Sequence, residues 1–144
     1  MRDNMPNYLI DASSLFKLLS YNLSADTNLL ENSCITDLTL FEIGDALFKR
    51  KDSGIKEISL DKIMALSRVI GNILKEIPRV SISAAEISGI LGIAINTKIS
   101  FYDAAYIYVC DRDHLKLITD DLELKRKAAS EKVAVFELMD VLKN

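Results

Sequence analysis

Four carboxylates in this chain have the chemical type and the placement to support metal chemistry. Asp11 and Asp121 each follow an apolar, strand-like run, whereas Glu42 and Asp103 lie in apolar helical patterns. Because they are spread over most of the chain, only a fold can bring them together. Clustered carboxylates repel one another unless a cation neutralises them, and Mg²⁺ and Mn²⁺ take oxygen ligands and catalyse phosphoryl chemistry. The four acids therefore favour a metal-dependent nuclease.

Three of these acids also have a simple structural explanation. Asp11 precedes a helical pattern and could be its N-cap. Glu42 lies roughly opposite the apolar face of its helix and could be a solvated surface residue. Asp103 could complete a capping box with Ser100. However, the helix that Asp103 begins is apolar almost all round, and an acid entering an interior needs a partner or an ion.

The fourth acid, Asp121, belongs to an adjacent pair that follows Leu117-Ile118-Thr119. We expect Asp120 to cap the next helix, with Glu123 completing a capping box. Asp121 is then not needed for capping. Two neighbouring carboxylates also repel each other, which favours a cation nearby.

Most other catalytic motifs are absent from the sequence. The single histidine, His114, argues against zinc sites and histidine-based triads. There is no dinucleotide-binding glycine motif, no P-loop and no Gly-x-Ser-x-Gly elbow. The remaining chemistry rests on carboxylates and hydroxyls.

Composition indicates one globular domain. The chain has 144 residues, 49% of them apolar, and a net charge of −3. A general nucleic-acid binder is normally basic, but bound ions would restore positive charge where phosphate must lie. Cys34 and Cys110 are expected to be buried free thiols, which is typical of the cytoplasm. The sequence shows no signal-peptide pattern and no apolar run of membrane-spanning length.

Short strand-like runs alternate with helical patterns along the chain. Strands are predicted at 8–10, 34–36, 79–82, 115–119 and 133–136, and helices at 13–19, 37–51, 59–77, 83–95, 101–111 and 122–129. Such alternation predicts an α/β fold with a mostly parallel sheet covered by helices on both faces. Sites in these sheets form beyond the carboxyl ends of the strands, where Asp11 and Asp121 are placed.

These residues together resemble the PIN-domain ribonucleases, specifically the VapC toxins of toxin–antitoxin modules. The matching segments are Leu9-Ile10-Asp11-Ala12-Ser13, Leu40-Phe41-Glu42-Ile43, Ser100-Phe101-Tyr102-Asp103-Ala104-Ala105-Tyr106 and Leu117-Ile118-Thr119-Asp120-Asp121. They follow the family's order and span essentially the whole chain. The resemblance implies a single PIN-like domain over residues 1–144, with three α/β/α layers and a five-stranded, mostly parallel sheet.

The resemblance also implies the site. Asp11, Glu42, Asp103 and Asp121 look like the family's four acids, which would bind Mg²⁺ or Mn²⁺. Thr119 and Ser13 look like the polar residues that orient the bound water or a carboxylate. The implied activity is that of an endoribonuclease toxin, with an RNA substrate, a VapB-type antitoxin and a homodimeric state.

Several alternatives stay open from the sequence. The chain could be a stand-alone PIN-domain RNA-processing nuclease, or a module that binds metal or RNA without cleaving it. The basic runs 49–51 and 125–127 could contact RNA or simply be solvated helix ends. A phospho-acceptor receiver domain is disfavoured, because it expects an acid pair after the first strand and an aspartate after the third, where this chain has Ser81-Ile82-Ser83.

Overall fold

The structure, a computed structural model, describes residues 5–21, 27–53 and 58–142. The strands are β1 Tyr8–Ile10, β2 Ser33–Thr36, β3 Arg79–Val80, β4 Lys116–Ile118 and β5 Val135–Phe136. They form a five-stranded sheet in the order β3-β2-β1-β4-β5, and every pairing is parallel. The all-parallel sheet confirms the predicted fold class.

Eight α-helices connect and cover these strands within the described residues. They are α1 Ala12–Tyr21, α2 Thr27–Glu31, α3 Asp37–Asp52, α4 Leu60–Glu76, α5 Ile87–Thr97, α6 Phe101–Asp113, α7 Leu122–Ser130 and α8 Leu138–Leu142. A 3₁₀ turn, Ala84–Glu86, precedes α5. The predicted helices are confirmed, although the one predicted from residue 83 begins as the 3₁₀ turn. The helices α2 and α8 were not foreseen, and the third, fourth and fifth strands are shorter than predicted.

Helix boundaries follow local side-chain chemistry. The hydroxyl of Ser59 accepts a hydrogen bond from the Lys62 amide and begins α4, and Pro78 follows the end of that helix. Ser100 begins α6 in the same way, by accepting from the Asp103 amide. The helix α6 ends at His114, whose φ of 56° turns the chain into the left-handed conformation of a C-cap.

Two apolar layers lie on opposite faces of the sheet. One contains Ile10 and Ile35 with residues of α1, α3, α4 and α8, and the other contains Leu9 and Leu117 with residues of α6 and α7. Neighbouring residues of one strand thus point into different layers, as a pleated strand requires. These layers confirm the three-layer α/β/α arrangement.

The two cysteines and the lengths of the helices also relate to predictions made from the sequence. Cys34 and Cys110 are buried and unpaired, as expected, and burial raises the pKa of Cys34 to about 12. Among the helices of the described residues, none has both the length and the apolar character needed to cross a bilayer.

Candidate active site

The candidate site lies at the carboxyl ends of β1, the central strand of the sheet, and of its neighbour β4. Ile10 and Ile118 are paired across these strands, and the Asp11 amide continues the ladder by donating to the Ile118 carbonyl at 3.1 Å. The chain adds strands on one side of β1 and then crosses to the other side, so this is a topological switch point. The prediction that Asp11 and Asp121 share this edge is confirmed.

Asp11 is held by hydrogen-bond donors on both of its carboxylate oxygens. The side chain of Asp11 is 5% exposed, and its Oδ2 accepts from the Thr119 hydroxyl at 2.5 Å. Its Oδ1 accepts from the Ser14 amide at 2.9 Å and from the Ser13 hydroxyl at 3.3 Å. Asp11 therefore caps α1, as the structural explanation predicted, and also presents a fixed carboxylate at the sheet edge.

Thr119 connects Asp11 to the last acid. Its side chain is fully buried, and its hydroxyl oxygen accepts from the Asp121 amide at 3.1 Å while donating to Asp11. One hydroxyl thus fixes the side chain of one acid and the backbone of the other.

The predicted capping role of Asp120 is wrong. Asp121 is the N-cap of α7, because its Oδ1 accepts from the Leu124 amide at 2.9 Å. With the cap at Asp121, Glu123 is one position short of the place that a capping box requires. Asp120 instead accepts from the Leu138 amide and from Lys17, each at 2.9 Å. The sequence did not reveal this role because α8, which supplies the amide, was not foreseen.

Glu42 is partly buried rather than simply solvated. The buried Tyr106 hydroxyl donates to Glu42 Oε1 at 3.3 Å and also lies 3.3 Å from the Thr39 hydroxyl. Burial raises the pKa of Glu42, and the neighbouring charges of Asp11 and Asp103 raise it further. Sequence reasoning did not assign Tyr106 a role, although its position three residues after Asp103 places both on one side of α6.

Asp103 lies in the first turn of α6 and is partly buried. Burial raises the pKa of its carboxyl, and the charges of Asp121 and Asp11 add to this increase. Hydrogen bonds through Thr119 connect Asp11 with Asp121, and Glu42 and Asp103 line one cavity. The structure therefore joins the four acids as two pairs, and their role as one site stays a prediction.

Among the described residues, no cation is paired with this group of acids. Within residues 5–21, 27–53 and 58–142, no lysine or arginine forms an ion pair with Asp11, Glu42, Asp103 or Asp121. Lys49, the cation nearest in sequence to Glu42, pairs with Asp45 at 2.7 Å. The oxygen-rich, uncompensated donor set fits a hard divalent cation. In the part of the chain that the structure describes, however, no three potential ligands form a ready-made metal site.

Two open cavities, each of about 340 Å³, lie beside Glu42, and Glu42 and Asp45 line both. The first, which we call the polar cavity because Ser13 and Lys49 line it, is also lined by Ala12, Phe16 and Ala46. The second, which we call the aromatic cavity, is lined by Leu38, Phe41, Glu42, Asp45, Tyr102 and Asp103. Of the four acids, Glu42 and Asp103 thus line space that a substrate can enter from solvent, whereas Asp11 and Asp121 line neither cavity.

Neither basic run pairs with the four acids among the described residues, although Lys49 lines the polar cavity together with Glu42. Residues 49–51 form the last turn of α3, where positive charge complements the helix dipole. In the second run, Lys125 pairs with Glu137 at 2.7 Å. Contact of either run with RNA stays a prediction.

The chain was compared with protein-family models and with known proteins. No family model matches the chain. Exonuclease VapC9 from Pyrobaculum aerophilum is 31% identical over 125 residues, which cover 83% of this chain and 84% of the relative.

Solved structures agree with this match. The crystal structure of PAE2754 from Pyrobaculum aerophilum has a TM-score of 0.79 at 28% identity and covers 98% of this chain and 91% of its own. A toxin–antitoxin complex from Klebsiella pneumoniae has a TM-score of 0.58 at 19% identity, covering 82% of this chain and 89% of its own. FitAcB from Neisseria gonorrhoeae has a TM-score of 0.60 at 18% identity, covering 92% and 98%. At these lower identities, the last two likenesses show the shared fold alone.

Proposed function

We propose, from the premise that this chain belongs to the VapC family of PIN-domain nucleases, that it is a metal-dependent endoribonuclease and the toxin of a toxin–antitoxin pair. The relative's name, an exonuclease, supports nuclease activity. The observation that supports the metal-dependent part is that Asp11 and Asp121 lie at the switch point, with Glu42 and Asp103 near enough for Asp11 to raise their pKa values, and that no described lysine or arginine pairs with any of the four.

In this proposal the protein's own residues prepare the site. Asp11, Asp103 and Asp121, with Glu42, would hold Mg²⁺ or Mn²⁺, which when bound would activate a water and stabilise negative charge on a phosphodiester. Thr119 and Ser13 would keep the Asp11 carboxylate in one orientation, because both hydroxyls donate to it.

Glu42 is oriented from the other side of the site. The hydroxyl of Tyr106 donates to one of its oxygens and leaves the other for water or an ion. Substitution at Tyr106 would therefore change the site without touching a proposed ligand.

The metal-dependent part is tested with Asp121→Asn and its neighbour Asp120→Asn as a matched control. In both variants the amide oxygen still accepts from a helix N-terminus, Leu124 or Leu138, so the fold is expected to persist. RNA cleavage in Mn²⁺ should be lost in Asp121→Asn and largely kept in Asp120→Asn, with EDTA abolishing it in all proteins. Equal rates in the two variants would contradict the proposed ligand assignment.

Endonucleolytic cleavage needs its own test, because the relative is named as an exonuclease. A circular single-stranded RNA has no ends, so only an endonuclease can open it. We expect conversion of the circle to a linear molecule before shorter products appear. A protein that degrades the linear RNA and leaves the circle intact is an exonuclease.

The proposed antitoxin is a partner that supplies positive charge to the acid group. The carboxylates lack a cationic partner within the described residues, and a basic side chain of an antitoxin would neutralise them. A small DNA-binding protein encoded directly upstream is the candidate to test. Binding with loss of RNA cleavage supports the toxin assignment, whereas an active nuclease with no such neighbour favours a stand-alone RNA-processing role.

The proposed homodimer is measured separately by sedimentation of the purified protein. A non-catalytic metal- or RNA-binding module is the remaining alternative. It would be recognised by stabilisation in Mn²⁺ without cleavage of any RNA.

A further inference from the structure

We infer that Phe41 and Tyr102 form a stacking site for an unpaired base of single-stranded RNA, beside the carboxylates; this inference rests on the proposed nuclease function. Their side chains are 77% and 62% exposed. Large aromatic side chains normally contribute to cores or interfaces, so two exposed rings beside a candidate active site need an explanation.

Both rings are placed by the same helices that position the acids. Phe41 directly precedes Glu42 in α3, and Tyr102 directly precedes Asp103 in the first turn of α6. All four residues line the aromatic cavity of about 340 Å³. A base bound there would lie next to two of the proposed metal ligands.

The chemistry of the aromatic cavity selects a base rather than a phosphate. No lysine or arginine appears among the described residues that line it, whereas three carboxylates, those of Glu42, Asp45 and Asp103, do. These carboxylates repel a phosphate group, but the uncharged face of a base can stack on the rings.

The polar cavity complements this arrangement. It shares Glu42 and Asp45 with the aromatic cavity and adds the hydroxyl of Ser13 and the ammonium group of Lys49. The ammonium group of Lys49 pairs with Asp45 at 2.7 Å, which offsets that charge, and its remaining N–H groups can donate to a phosphate or sugar oxygen. A nucleotide chain that crosses Glu42 would therefore place a base in the aromatic cavity and its sugar–phosphate backbone in the polar cavity.

The inference restricts the class of substrate. A base inside a duplex is stacked on its neighbours and cannot reach the rings of Phe41 and Tyr102 unless it is flipped out at the cost of its stacking and pairing. Stacking is also tolerant of sequence, because every base has a π face. We therefore expect a preference for single-stranded RNA, with weak dependence on which base occupies the cavity.

The test uses a short single-stranded RNA that contains 2-aminopurine, whose fluorescence is quenched when it stacks on an aromatic ring. The wild-type protein is titrated in EDTA, where the proposed cleavage cannot proceed, and again in Mn²⁺ with quenching recorded before cleavage, so that an ion can neutralise the nearby carboxylates. Quenching gives the dissociation constant. Phe41→Ala and Tyr102→Ala are each expected to weaken binding by roughly 5- to 150-fold, the range for loss of one base–aromatic stack. Phe41→Trp should restore both binding and quenching.

Phe48→Ala is the matched control. Phe48 lies on the same helix with 65% of its side chain exposed, but it is not among the residues that line the aromatic cavity. Its replacement should leave the dissociation constant within about twofold of wild type. Sedimentation of every variant shows whether the oligomeric state has changed.

Several results would overturn the inference. These are no quenching by the wild-type protein, equal affinities of Phe41→Ala and Phe48→Ala, equal affinity for a blunt duplex, or a change of oligomeric state on replacing Phe41. The last result would make this surface an interface between copies of the chain. A wild-type protein that quenches 2-aminopurine but cuts no RNA in Mn²⁺ would refute the nuclease proposal and retain the stacking site.

Discussion

Replacing Thr119 with valine should both destabilise the protein and impair the site. Valine keeps the volume and branching of threonine, so the fully buried position stays filled. The substitution removes the hydrogen bond that the hydroxyl donates to Asp11 and the one that it accepts from the Asp121 amide. The change in stability on substitution therefore measures the contribution of the Thr119 hydroxyl alone.

The expected magnitude follows from these two bonds. A hydrogen bond to a charged group contributes about 1.5–3 kcal/mol, and a neutral one about 0.5–1.5 kcal/mol. Because Asp11 is buried and loses a donor, we expect the free energy of unfolding to fall by about 3 kcal/mol. For a domain near this size, that change lowers Tm by roughly 6–12 °C.

The assay is urea unfolding at neutral pH without divalent metal, with Thr97→Val as the control. Thr97 is also buried, but its hydroxyl donates only to the Ile93 carbonyl of its own helix. That carbonyl is already bonded within α5, so the control should lose less than about 1 kcal/mol. If Thr119→Val unfolds within about 0.5 kcal/mol of wild type, the hydroxyl does not bridge the acids as described.

Three other perturbations give independent checks. Tyr106→Phe removes the donor to Glu42 and should lower kcat for RNA cleavage by about 10- to 100-fold with an unchanged circular dichroism spectrum, and an unaltered kcat would remove Tyr106 from the site. Mn²⁺ at about 100 times its Kd should raise Tm by roughly 5–10 °C in wild type but not in Asp121→Asn, as differential scanning fluorimetry can measure. The Arg112 guanidinium holds the pKa of Glu86 at about 2, below its ordinary 4.5, so this pair stabilises the fold above pH 4.5 and loses that effect as the pH falls toward 2. Acid-unfolding curves of Glu86→Gln should accordingly be flatter than wild type in that window, and superimposable curves would contradict the pairing.

Much of the fold could be predicted because local and long-range signals agree. Ser59 and Ser100 begin helices that the sequence marks clearly, and apolar runs between polar turns define the strands. The two short helices α2 and α8 were missed because five residues give too little periodicity to distinguish a helix from a turn.

The candidate site residues could be selected from the sequence, but the hydrogen bonds between them could not be predicted. The four acids stand out by type and by their position at strand ends and helix starts. Which of Asp120 and Asp121 caps α7 depends on the Leu138 amide, whose approach is a tertiary event. The hydroxyl contacts of Tyr106 likewise join α6 to α3 across many residues, and no local pattern encodes them.

The placement of the acids at helix starts has a consequence for assembly of the protein. Asp11 and Asp121 precede the first turns of α1 and α7, and Asp103 lies in the first turn of α6. Each helix N-terminus carries a partial positive charge of roughly half an elementary unit. Backbone dipoles therefore offset part of the mutual repulsion before any ion arrives. We expect the newly made chain to reach its native shape in a metal-poor compartment, so that loading with a cation is a late, reversible event.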